Sequence, residues 1–181
     1  TRTWAYRDNA LELAFEIENA GADSVEIGAL GLPMIFNNLL DGRSLEEAHS
    51  VASFQDPYLG GPAGYLQVTR LSGMGPTLIA TPLEEGSFEA WRPLLDDSTP
   101  RGITFEGFYE WMMHTRAYAD AEWTEAEPWN PPTSAWLASG DRRRYGVRFL
   151  VAPGVRQIES TLIRQGHPVA VGIPGYVLPR D

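Results

Sequence analysis

Apolar side chains occupy every second position from Leu11 to Ile17 in the segment ALELAFEIE (10–18). A period of two is the pattern of a β-strand with one buried face, whereas an amphipathic helix repeats every 3.6 residues. The alternation holds through the whole run, and NAGA at 19–22 ends it as a turn would. We therefore predict a half-buried strand here, although these residues also favour a helix by propensity.

Further short runs of β-type sequence follow, separated by glycine and proline. They predict a resumed strand at 25–27, a hairpin formed by 66–71 and 77–82 around SGMGP, a long strand within 105–123, and a second hairpin formed by 133–137 and 144–151 around ASGDR. In the second hairpin, Tyr145, Val147, Phe149 and Val151 share one face. The segments 28–33, 56–64 and 128–132 are predicted to be irregular because glycine or proline interrupts them.

Two segments predict short helices. Residues 43–50 offer Ser44 as an N-cap with Glu47 three residues later, the spacing of a capping box. Residues 154–164 have amphipathic spacing and end at Gly166. Many short strands with only brief helices indicate an all-β fold, an antiparallel β-sandwich with one or two short helices.

Composition excludes several classes of function. The 181 residues fit one domain, and no apolar run approaches the length of a membrane span. A net charge of −10 without any lysine argues against nucleic-acid binding, and we expect the single basic cluster, 142–144, to be a solvated turn flank. With no cysteine and three histidines that lack ligand spacing, we expect no metal site and no cofactor.

One stretch carries residues suited to acid–base chemistry. Glu106 and Glu110 are four apart, with His114 nearby, in FEGFYEWMMH (105–114). Paired carboxylates beside aromatic side chains are what glycoside hydrolysis requires. Such pairs also arise from structural ion pairs, so these three residues are weak catalytic candidates.

Aromatic residues are the positive signal of the composition, with six Trp, seven Tyr and seven Phe. Large aromatics usually build a core, but they also form platforms on which sugar rings stack. Tyr58 and Trp129 lie in predicted loops, where binding residues gather. Together with Trp111 they are our candidates for contact with carbohydrate.

Several motifs resemble those of an uncharacterised family of secreted, six-hairpin-glycosidase-like proteins from fungi and bacteria. They are EIGALGLP (26–33), SFQDPYLGG (53–61), GYLQVTRL (64–71), FEGFYEW (105–111), EW (122–123) with PWN (128–130), and VAVGIPGYVLP (169–179). The resemblance implies a galactose-mutarotase-like supersandwich, an extracellular location, and a following α/α toroid that holds the catalytic acid and base. It supplies no catalytic residue within this chain.

We therefore expect an accessory domain at 1–173 and a linker at 174–181 that leads to the toroid, since the chain starts at Thr1 and its end is marked by proline. The domain would pack against the catalytic domain of its parent protein and contribute loops to a cleft for poly- or oligosaccharide. Two alternatives remain open. The chain could be a stand-alone carbohydrate-binding module, or a mutarotase-like enzyme that uses Glu106 or Glu110 with His114.

Overall fold

The computed structural model describes residues 1–58, 60–94 and 109–169. The strands are β1 Arg2–Arg7, β2 Ala10–Glu18, β3 Val25–Ile27, β4 Leu30–Pro33, β5 Ser53–Tyr58, β6 Tyr65–Arg70, β7 Thr77–Glu84, β8 Ala90–Pro93, β9 Tyr109–His114, β10 Ala135–Leu137 and β11 Arg142–Ala152. The helices are α1 Leu45–Val51, α2 Arg116–Ala121 and α3 Ile158–Arg164, the last preceded by a 3-10 turn at Val155–Gln157.

The strands form three antiparallel sheets. The largest has the order β1-β2-β11-β7-β6-β5, a smaller one has the order β4-β9-β8, and β10 pairs with β3 alone. The β1–β2 hairpin turns through Asp8 and Asn9, whose φ angles of 49° and 62° are typical of a two-residue hairpin turn. The fold is thus an antiparallel β-sandwich with few short helices, as the sequence predicted.

The main core lies between the six-stranded and three-stranded sheets. Trp111 and Met113 of β9 pack there against residues of the large sheet such as Leu66, Tyr145 and Val147. The three-stranded sheet covers only part of the larger one. Among the described residues, the core-facing side of the six-stranded sheet therefore stays partly open near β1, where Tyr6 is 70% exposed.

A second core cluster lies between the large sheet and α3. Leu150 and Ala152 of β11 contact Ile158 and Leu162, whose spacing of four places both on one helix face. The central strand β11 is therefore buried on both faces over part of its length. Among the described residues, no helix is long and apolar enough to cross a membrane.

Several predicted elements are confirmed. The strand at 10–18 has the predicted bounds, and the first hairpin is formed by β6 and β7. In the first helix, the Ser44 side chain accepts a hydrogen bond from the Glu47 backbone N–H at 3.2 Å. The helix at 154–164 ends before Gly166, which has a φ of 71°.

Other predicted elements are wrong in part. The second hairpin does not exist, because β10 pairs with β3 while β11 pairs with β2 and β7. Residues 30–33, predicted irregular, form β4 on the edge of the small sheet. Residues 56–58, predicted as loop, end the edge strand β5, where Pro57 is tolerated. The long strand in 105–123 stops at His114, and α2 follows it.

The basic cluster 142–144 opens β11 and follows the turn at residues 139–140, so it flanks a turn as expected. Its side chains form ion pairs with β2, with the end of β7 and with the residue after β7: Arg142 with Glu16 and Glu18, Arg144 with Glu84, and Arg143 with Glu85. These pairs are solvent-exposed, so the expectation of a solvated cluster holds. The predicted linker at 174–181 lies outside the described residues.

Candidate functional site

Three tryptophans surround a cavity of about 330 Å³ at one end of the small sheet. Trp91 comes from β8, whereas Trp123 and Trp129 come from the loop that follows α2. The remaining lining residues are Glu89, Ala90, Thr115, Ala126, Glu127, Pro128 and Asn130. We call this cavity the tryptophan groove. Indole faces beside a few polar groups are typical of sites that bind a ligand with both apolar faces and hydroxyl edges.

The loop that carries Trp123 and Trp129 is held in place at both ends. At its start, Trp123 donates its backbone N–H to the Tyr118 carbonyl at 2.9 Å, and the two rings stack 5.6 Å apart. Further on, the Asn130 side-chain amide donates to the Glu89 carbonyl at 2.8 Å. The prolines at 128, 131 and 132 prevent the segment from continuing as a helix. Trp129 thus projects from an anchored loop and is 80% exposed.

The floor of the tryptophan groove contains a buried carboxylate. Glu89 is 4% exposed, and its Oε2 accepts hydrogen bonds from the Thr115 hydroxyl at 2.7 Å and from the Thr133 backbone N–H at 3.2 Å. Its Oε1 accepts a hydrogen bond from the Thr133 hydroxyl. All three of these groups, which belong to two threonines, act as donors. A buried carboxylate requires such an environment because it can only accept hydrogen bonds.

The hydrogen bonds continue from Thr133 into the main core. The Thr133 hydroxyl lies 2.8 Å from His114 Nδ1, and His114 Nε2 lies 2.9 Å from the Tyr145 hydroxyl. Since Thr133 donates its single proton to Glu89, His114 must donate from Nδ1 and accept at Nε2. Burial lowers the pKa of His114 and raises that of Tyr145, so both side chains stay neutral near pH 7.

Glu110 takes part in an ion cluster beside the tryptophan groove. Arg92 lies 3.2 Å from Glu110 and 3.3 Å from Glu122, and its guanidinium carbon stands 4.0 Å above the Tyr118 ring. Gly31 makes room for Glu110, because a Cβ on Gly31 would come within 2.6 Å of Glu110 Oε2. These contacts give Glu110 a structural partner.

The structure separates the residues that the sequence put forward. Trp129 lies in the tryptophan groove, but Trp111 is 1% exposed and packs in the core, with no face open to a sugar. Tyr58 lies at the end of β5, where its ring stacks on Tyr65 at 4.6 Å. Burial, with the neighbouring Tyr58, raises the pKa of Tyr65 to about 12. Glu106 lies outside the described residues.

Sequence reasoning missed two residues of the tryptophan groove, Trp91 and Glu89. The sequence offers no signal for either residue. Glu89 directly precedes β8 and Trp91 lies within it, and β8 is a strand of only four residues that the sequence did not predict. Trp123 appeared in the sequence only as part of the motif EW at 122–123, and its spacing from Trp129 did not indicate a shared cavity. In the described parts of the chain, no group of three or more His, Asp or Glu side chains could hold a metal ion.

A second, larger cavity of about 740 Å³ opens between the two main sheets. Its walls are mostly apolar and include Phe15 and Ile17 of β2 and Leu32 of β4. Near its rim, Trp4 is 52% exposed and stacks on Phe149 at 6.4 Å. The cavity therefore continues the open apolar face of the large sheet.

Comparisons with known proteins relate the chain to one family and one fold. A family model described as a family of unknown function, DUF5695, matches residues 1–181. No curated protein matches the chain. A solved structure of a polysaccharide lyase superimposes on it with a TM-score of 0.69 at 12% identity, over 91% of this chain and 21% of the lyase chain. The chain thus spans about a fifth of the length of that lyase, and a likeness at this identity shows the fold alone.

Proposed function

The chain belongs to DUF5695, a family of unknown function, and we propose that it is a glycan-binding accessory domain of a secreted, polysaccharide-degrading protein. The observation that carries the proposal is the tryptophan groove. Its three indoles come from two separate segments, β8 and the loop after α2, and meet at one cavity. Such an arrangement provides stacking surfaces for pyranose rings, while Asn130 and Glu127 supply hydrogen-bonding groups at the edges.

The fold likeness supports an accessory role. The solved lyase shares the sandwich over 91% of this chain, yet the match takes up only 21% of the lyase. A sandwich of this kind therefore occurs within a much larger polysaccharide-active protein. We propose that the parent of this chain is built in the same way and that a neighbouring α/α domain, of the glycosidase-like kind implied by the resemblance, carries the catalytic groups.

The arrangement of the ionisable side chains agrees with binding more than with catalysis. His114 uses both ring nitrogens in internal hydrogen bonds, and Glu110 is paired with Arg92. Neither side chain lines the tryptophan groove. A mutarotase-like reaction by these residues would need an accessible acid and base, so we place the chemistry of the parent protein in the neighbouring domain.

The same proposal assigns a role to the open apolar face. Trp4, Tyr6 and Leu11 are 52%, 70% and 42% exposed and belong to the paired strands β1 and β2. Trp4 lies opposite Leu13, and Tyr6 opposite Leu11, so these side chains share one face of the sheet. Contiguous exposed apolar side chains mark an interaction surface. We propose that the neighbouring domain of the parent protein covers this face.

Binding to glycans tests the proposal. We expect saturable binding of a soluble oligosaccharide from a panel of plant, fungal and bacterial polysaccharide fragments, measured by calorimetry and by quenching of tryptophan fluorescence. Trp129→Ala should weaken binding at least ten-fold, about 1.4 kcal/mol, because it removes one stacking face. Trp136→Ala is the matched control, since Trp136 is 60% exposed but lies on β10 outside the tryptophan groove.

Two results would contradict the proposal. The first is a lack of binding to every member of the panel. The second is binding that Trp129→Ala and Trp136→Ala weaken to the same extent, because the tryptophan groove would then have no special part in it.

A further inference from the structure

The charges around the tryptophan groove bear on which glycans it accepts. Two carboxylates, Glu89 and Glu127, are among its lining residues, and none of the described lining residues carries a positive charge. Two arginines directly follow lining residues along the chain, and both have partners. Arg92 is engaged by Glu110, Glu122 and the Tyr118 ring, and Arg116 by Asp120 at 3.7 Å and by the Pro132 carbonyl at 2.7 Å. The chain as a whole also carries a net charge of −10. A ligand in the tryptophan groove therefore meets a negative potential.

The two carboxylates act at different depths. Glu89 is buried at 4% exposure, and its side-chain oxygens accept hydrogen bonds from Thr115 and Thr133, neither of which is a cation. Its charge is consequently screened less by salt than a surface charge. Glu127 lies on the exposed loop beside Trp129. It would face an arriving ligand directly, through solvent.

From this arrangement, and resting on the proposed glycan-binding function, we infer that the tryptophan groove selects non-acidic glycans, whether neutral or amino-bearing, and rejects polyuronates. A neutral pyranose offers its apolar face to an indole without electrostatic cost. An amino sugar adds attraction to the two carboxylates and to the indole faces. A uronate would bring its carboxylate close to Glu89 and Glu127 with no described cation in the lining to offset the repulsion.

The test compares hexamers of equal length with the intact chain: cellohexaose as the neutral ligand, a glucosamine hexamer as the cationic one, and a galacturonate hexamer as the acidic one. At low salt, we expect the galacturonate hexamer to bind at least ten-fold more weakly than the better of the other two. The difference should narrow in 0.5 M salt, because screening reduces the contribution of Glu127.

A charge-neutral variant isolates the loop carboxylate. Glu127→Gln removes the charge but keeps a hydrogen-bonding group at the edge of the tryptophan groove. It should strengthen binding of the galacturonate hexamer relative to the neutral hexamer about three- to ten-fold at low salt. Glu125→Gln is the matched control, because it removes the same charge from the same loop at a position outside the lining. We expect it to change either affinity less than two-fold.

The outcomes separate this inference from the proposed function. If the galacturonate hexamer binds as tightly as the others or more tightly, with Trp129→Ala weakening it, the tryptophan groove still binds glycans but the inferred charge preference is wrong. If no hexamer and no member of the wider panel binds, the proposed function fails and the preference fails with it.

Discussion

At the scale of single residues, the most constrained group is the chain of hydrogen bonds from Tyr145 through His114 and Thr133 to Glu89. Each member donates toward the carboxylate, so the charge of Glu89 is stabilised by aligned dipoles at a distance from water. His114 can take part only when neutral, because its Nε2 must accept the Tyr145 proton. The network thus links the protonation state of one histidine to the packing of the core.

This link predicts a pH dependence of stability. Burial lowers the pKa of His114 in the folded state, and burial also lowers that of His167. Below the unfolded-state pKa of about 6.5, the unfolded chain therefore binds protons that the folded chain refuses. We expect the free energy of unfolding to be highest above that pH and to fall as the pH drops from about 7 to about 5.5, by at most about 1.4 kcal/mol per pH unit for each histidine.

Urea denaturation at a series of pH values checks this expectation. The readout is the slope of the free energy of unfolding against pH, not the absolute stability. His114→Gln should reduce the slope, and His167→Gln should reduce it separately, because burial lowers the pKa of both histidines. A slope that is the same in the His114→Gln variant and in the unaltered chain would show that His114 does not carry the effect.

At the scale of elements, β11 organises the molecule. It pairs with β2 on one side and with β7 on the other, and its two faces contribute to different core clusters. Such a strand tolerates little change of shape. Gly146 is its tightest point, since a Cβ there would lie 2.4 Å from the Leu13 carbonyl oxygen of β2.

Gly146→Ala should therefore destabilise the protein by about 1–3 kcal/mol or more, because the clash is with backbone that cannot rotate away. The matched control is Gly60→Ala, where the nearest atom to the new Cβ would be 3.8 Å away. That variant should be neutral or slightly stabilising. Thermal unfolding of both proteins measures the difference. Equal stability of the two variants would mean that β2 and β11 can separate at no cost.

The elements also show how far sequence reaches. Local signals found β2, the β6–β7 hairpin and α1, because alternation, a glycine-rich turn and a capping box each act within a few residues. These local signals could not identify which strands pair with each other. The segment ASGDR does form a turn, but β10 pairs with β3, which lies more than a hundred residues earlier in the chain. The same limit hid the tryptophan groove, where Trp91 meets Trp129 only through the tertiary fold.

At the scale of the whole molecule, the described residues form a lopsided sandwich, with six strands on one side of the core and three on the other. The uncovered part of the large sheet holds Trp4, Tyr6 and Leu11 and adjoins the cavity between the sheets. An isolated domain gains nothing from leaving these side chains in water, whereas a covering domain would gain about 25 cal/mol for each Å² of apolar surface that it buries. In that proposal the two surfaces have separate roles, glycan binding at the tryptophan groove and docking at this face.

Stability of the parent protein tests the docking role. In this chain alone, Trp4→Ser should change the free energy of unfolding by less than about 1 kcal/mol, because Trp4 is half exposed and contacts Phe149 only at 6.4 Å. In the parent protein that we propose, where a neighbouring domain covers this face, the same substitution should cost about 1–3 kcal/mol at the interface and increase cleavage between the domains by a protease. Trp136→Ser, which alters a similarly exposed indole on β10, should have no such effect in either form. If Trp4→Ser and Trp136→Ser behave alike in the parent protein, another surface carries the contact, and the open face of the large sheet is free of its neighbour.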